Sequence, residues 1–89
     1  MTDEQKRVLE ILKTADPDTI RRMTQAECDK FCTSLYRTDC PSARRTADTI
    51  GCIQGAFADG FADEETLLKM WNKDGGRIPG VDWGGERTK

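Results

Sequence analysis

Apolar positions return at intervals of three and four residues along most of this chain, the period that aligns one face of an α-helix. Val8, Leu9, Ile11, Leu12 and Ala15 form the first such stripe. Thr2 stands before it with Gln5 three residues on, a capping box in which each side chain satisfies the other residue's free backbone N–H. Asp16-Pro17-Asp18 stops this helix and starts another, since Asp16 suits the cap and Pro17 the first helical position. Ile20 and Met23 are expected to face inward from that short turn. Thr24 with Glu27 is a second capping box, and behind it Cys28, Phe31, Cys32 and Leu35 make an i, i+3, i+4, i+7 ladder with Tyr36 at its edge. Asp39-Cys40-Pro41 breaks the pattern, because the residue before proline resists helical geometry.

Ser42 can cap the next segment, whose stripe runs through Ala43, Ala47, Ile50, Ile53 and Phe57 to Asp59-Gly60, where glycine supplies a left-handed stop. Phe61 bridges the turn. Asp63 opens a last helix carrying Leu67, Leu68, Met70 and Trp71, with Glu64 and Glu65 at its positive end and Lys69 and Lys73 near its negative end. Asp74-Gly75-Gly76 ends it. Nowhere do apolar and polar residues alternate long enough for a strand. The pattern therefore predicts an all-α fold, a small irregular bundle of four to five short helices with a glycine-rich C-terminal tail. The helical domain is placed at 1–74 and the irregular tail at 75–89, which holds five of the eight glycines together with Ile78, Pro79, Val81 and Trp83.

Composition narrows the function. Eighty-nine residues, 36% of them apolar, suffice for one core and not two. A net charge of −2 argues against coating nucleic acid or membrane through bulk positive charge, and no apolar run is long enough to span a bilayer. The opening residues lack the apolar stretch of a secretion signal, so a cytoplasmic location is expected. Histidine is absent, which removes the ordinary general base near neutrality and any nucleophile assisted by imidazole. Gly51, Gly55 and Gly60 lack the strand–turn–helix context and the lysine of a phosphate loop. The turn from Asp59 fails the EF-hand spacing, with Phe61 and Met70 where ligands belong. No catalytic residue, metal ligand or cofactor is assigned, and the chain is read as not an enzyme.

The four cysteines, Cys28, Cys32, Cys40 and Cys52, are spaced x3, x7 and x11. Cys28, Cys32 and Cys52 are expected as small core residues; a disulfide and a four-thiolate zinc site with Cys40 are the alternatives. Gly51 and Gly55, four apart inside a good helix, suggest a smooth groove for a closely approaching backbone. Trp71 belongs to the core stripe, whereas Trp83 either pins the tail or serves a pocket elsewhere.

Charge placement says more than charge total. Residues 20–45 carry six basic and three acidic groups, while residues 46–68 carry five acids and no base. The leading expectation is a small protein-interaction module, a regulator or inhibitor docking to a protein partner through an acidic helical surface. Its partner-binding residues are Asp59, Asp63, Glu64, Glu65 and Trp83. One alternative is a phage-type inhibitor whose carboxylates imitate nucleic-acid charge. Another is a helix–turn–helix DNA-binding regulator built on residues 42–57 and 64–73, although Glu64 and Glu65 would face phosphate at the start of its recognition helix.

Overall fold

The computed structural model describes residues 1–81, and these form five α-helices and no strands. They are α1 (Asp3–Thr14), α2 (Pro17–Arg21), α3 (Gln25–Ser34), α4 (Ala43–Ala58) and α5 (Glu64–Lys73). The expected all-α bundle is what the chain adopts. Every helix starts where its capping chemistry places it. Both capping boxes close, Thr2 with Gln5 and Thr24 with Glu27, and Asp16, Ser42 and Asp63 accept from the free N–H groups of their own first turns. Each such cap contributes about 1 kcal/mol, a substantial share for a domain of this size.

Helix α4 is the longest and the most central, packing against all four other helices. Ala47, Ile50 and Ile53 of its buried face meet Val8, Leu9 and Leu12 of α1, Ile20 of α2, and Leu67, Leu68 and Trp71 of α5. Gln54 ties the long helix to the end of α1, its amide nitrogen donating to the carbonyls of Leu12 (3.0 Å) and Ala15 (2.5 Å). Those carbonyls lie at a helix C-terminus that would otherwise leave acceptors unpaired.

Three helices end in the same backbone arrangement, a left-handed residue followed by paired bonds back to the last turn. Gly60 (φ 79°) donates to Phe57 and Phe61 to Ala56 after α4; Gly75 (φ 129°) donates to Asn72 and Gly76 to Trp71 after α5. After α3 the left-handed position is held by Tyr36 (φ 63°), which donates to Thr33 while Arg37 donates to Cys32. Residues 75–81 have no regular structure but lie on the helices. Ile78 enters the core, its N–H donating to Asn72 Oδ1 at 2.9 Å, and Gln5 Nε2 donates to the Pro79 carbonyl at 2.7 Å. The same Gln5 thus closes a capping box and holds the tail. No helix among the described residues is long and apolar enough to cross a membrane.

Candidate functional site

The acidic residues singled out from the sequence do cluster along the α4–α5 connection. Asp59 caps the end of α4, Asp63 starts α5, and Glu64 and Glu65 fill its first turn, all four exposed. They are not equally free. Asp63 accepts from Thr66 twice, from the hydroxyl at 2.7 Å and the backbone N–H at 2.9 Å, and these bonds hold its carboxyl below the ordinary aspartate value. Glu64 pairs with Lys13 of α1 at 2.8 Å, a bond that raises the lysine's pKa. Asp59 and Glu65 keep their charge turned to solvent. Trp83 lies outside the described residues.

Two aromatics complete this surface, and the apolar stripe misplaced one of them. Phe57, expected on the inner face of α4, is 38% exposed, and Phe61 is 84% exposed. Phe57 falls four residues past Ile53 in the last turn of α4, where the Lys13 side chain covers one face of its ring; Ala62, not Phe61, turns inward. The Lys13 ammonium lies 5.2 Å above the Phe57 ring while bonded to Glu64. One cation is therefore already held between an aromatic face and a carboxylate. Phe61 and Glu65 present the same two groups, turned outward.

A second constellation is built on α3. Cys28 and Cys32, four apart, share its buried face, and Cys40 returns to them from the α3–α4 loop. The three sulfurs lie within 4.8 Å of one another, with Cys28 and Cys40 at 2.9 Å. Thr46, fully buried in the first turns of α4, sets its Oγ1 3.5 Å from the Cys28 sulfur and 3.8 Å from those of Cys32 and Cys40. Burial pushes the Cys28 and Cys32 thiols upward in pKa, the bond to Cys40 adds to the shift, and Thr46 partly opposes it. Cys28 and Cys32 are buried as expected. Cys52 is not: it is exposed on α4, two residues past Ile50 and so on the opposite side of the helix from the core. A four-thiolate site that includes Cys52 is thereby ruled out, and the converging set is three thiols and a hydroxyl.

Cys52 instead borders an open groove of about 800 Å³ between α4 and α5, lined by Ile53 and Met70 and rimmed by Arg44, Arg45 and Lys73. Asp48 and Asp74 stand on the same walls, paired with Arg21 at 3.2 Å and with Arg37 at 2.8 Å. Arg37 counts in the sequence only as one of the six basic groups of residues 20–45. It is 4% exposed, paired with Asp74 at 2.8 Å, with its guanidinium 5.2 Å from the Trp71 ring. Nothing in the local pattern separates it from the solvated arginines around it. Comparison with known protein families, with curated proteins and with solved structures finds no match for this chain.

Proposed function

We propose that this chain is a non-enzymatic docking module that binds a basic surface of a protein partner through the acidic connection between α4 and α5. The observation that carries this reading is Phe61, a large aromatic 84% exposed at the tip of a hydrogen-bonded reversal. Exposing a phenylalanine forgoes roughly 1.5–3 kcal/mol of burial, and in a docking protein that is recovered against a partner. Around it Asp59 and Glu65 supply uncompensated negative charge, which speeds encounter and fixes orientation, while the aromatic supplies lasting affinity. The contact Lys13 makes with Phe57 and Glu64 supports the idea that a partner's lysine or arginine could meet the exposed Phe61 ring and a neighbouring carboxylate in the same way.

The test is affinity capture from the native host with the full chain, followed by binding kinetics on the recovered partner. Phe61→Ala is expected to speed dissociation at least ten-fold, and Glu65→Lys to slow association and flatten its salt dependence. Unchanged kinetics in both variants would remove this surface from the interaction. Retention of mixed DNA duplexes by the chain itself would favour the DNA-binding alternative.

A further inference from the structure

We propose that Cys28, Cys32 and Cys40 form a three-thiolate site for a single thiophilic d10 metal ion, zinc foremost, with the Thr46 hydroxyl facing the fourth position. This site is separate from the docking surface and does not depend on that reading.

The geometry is that of a tetrahedron missing its centre. With Zn–S near 2.3 Å and Zn–O near 2.0 Å, a tetrahedral S3O site has S–O edges of about 3.5 Å and S–S edges of about 3.8 Å. Thr46 Oγ1 already stands 3.5, 3.8 and 3.8 Å from the three sulfurs, so three of the six edges are in place. The remaining edges join sulfurs within 4.8 Å, and the Cys28–Cys40 pair, at 2.9 Å, needs to open by about 0.9 Å to reach a zinc edge. Cys40 can supply that movement, being a half-buried loop residue where its two partners are fixed on a helix.

The fully buried hydroxyl is the second, independent observation. Its hydrogen-bond partners among the described residues are three thiol sulfurs, which are weak donors and weak acceptors even at the 3.5–3.8 Å ordinary for sulfur. A buried polar group left to weak partners calls for a ligand. The helix field suits thiolates as well, since Thr46 lies one turn into a 16-residue helix whose positive end faces the cluster. Cys40 also opens, with Asp29, Thr33 and Arg37, onto a shallow surface cavity that gives an ion its way in. A disulfide between Cys28 and Cys40 would use two of the three thiols and leave both Cys32 and the hydroxyl without a role.

The experiment is zinc titration of the full chain, reduced, stripped with a chelator and kept anaerobic, read by native mass spectrometry and by competition with a chromophoric chelator. One zinc per chain is expected, with Cys52 alone then open to alkylation. Cys40→Ser is expected to weaken binding by about ten-fold or more, Thr46→Val by about ten-fold, and Cys52→Ser to leave it unchanged. Failure of the wild-type chain to take up stoichiometric zinc overturns the site, as does undiminished affinity in Cys40→Ser. A metal-free chain isolated anaerobically but two hydrogen atoms lighter, with Cys28 joined to Cys40, overturns it in favour of a redox pair.

Discussion

Three glycines show how differently one residue type is constrained in this chain. Gly51 and Gly55 sit inside α4, where their spacing suggests a smooth groove for a neighbouring backbone. A methyl group at Gly51 would meet only Pro17 Cγ at 3.9 Å, an ordinary contact, and one at Gly55 would meet nothing within 4 Å. No close approach requires either, and each carries the entropic cost of glycine in a helix. Gly55→Ala is therefore expected to raise stability by about 0.5–1 kcal/mol, measured by urea unfolding followed through helical circular dichroism. Gly76 is the opposite case. A Cβ there would fall 2.5 Å from Trp71 Cδ1 and 2.7 Å from its Nε1, and that indole is fully buried and donates to the Leu35 carbonyl at 2.8 Å. Neither the ring nor the glycine can yield without breaking the bond or lifting residues 77–81 from the core. Gly76→Ala is expected to cost about 2 kcal/mol in the same measurement, within the usual penalty for overpacking. A neutral result would show that the tail's seat on Trp71 adds little.

At the scale of the element, beginnings were legible and one of the endings was not. Helix starts are written in short-range chemistry: Thr2 with Gln5, Asp16 before Pro17, Thr24 with Glu27, Ser42 and Asp63 all cap as their side chains dictate. The ends of α4 and α5 are announced by Gly60 and by Gly75. The end of α3 uses the same backbone pattern with Tyr36 in the left-handed position, which an L side chain occupies at a cost of roughly 1–2 kcal/mol. Since tertiary contacts meet that cost, no local signal marks it, and the sequence points instead to Asp39-Cys40-Pro41 as the break. The candidate metal site was half legible for the same reason. The x3 spacing places Cys28 and Cys32 on one face, but the return of Cys40 depends on the Tyr36 reversal. At the proposed docking surface the acids could be read from charge placement along the chain, whereas the exposure of Phe57 and Phe61 is set by tertiary packing. The α5 cap has a pH signature of its own. Because Thr66 holds the Asp63 carboxyl below its ordinary value near 3.8, the folded state prefers the ionised form. Its contribution is complete above that value and is lost as the pH falls through the lowered folded one. Melting temperature is expected to decline on acidification below about pH 4 in the wild type, and by less in Asp63→Ala, which starts lower. Parallel curves for the two proteins would mean that the cap does not contribute.

At the scale of the whole molecule, α4 supplies the common core, and Arg37 gathers several of the parts around it. Arg37 reaches from the α3–α4 loop to Asp74 at the end of α5, and the same carboxylate oxygen accepts the Thr49 hydroxyl of α4 at 3.0 Å. Arg37 Nε donates to the Asp39 carbonyl, its guanidinium faces Trp71, and beside it the Tyr36 carbonyl accepts from Arg77 in the tail at 2.8 Å. Loop, two helices and tail thus meet around one buried charge. Such a pair adds little over a well-packed apolar substitute, yet removing one member leaves the other desolvated and unpaired. Arg37→Ala is expected to cost about 3 kcal/mol. Arg37→Lys should recover less than half, because an ammonium cannot pair with Asp74, bond the Asp39 carbonyl and stay over the indole together. Asp74→Ala is expected to cost less, since Asp74 is 27% exposed and water can take part of its place. The double variant decides what the junction is. If Arg37 and Asp74 act through each other, its loss of stability will fall short of the sum of the single losses by about 1–3 kcal/mol. Additive losses would mean that Arg37 holds the molecule together through Trp71 and the loop carbonyl, with Asp74 incidental. A coupled pair would make Asp74, at the end of α5, the point through which the loop carrying Cys40 is fixed to the rest of the fold.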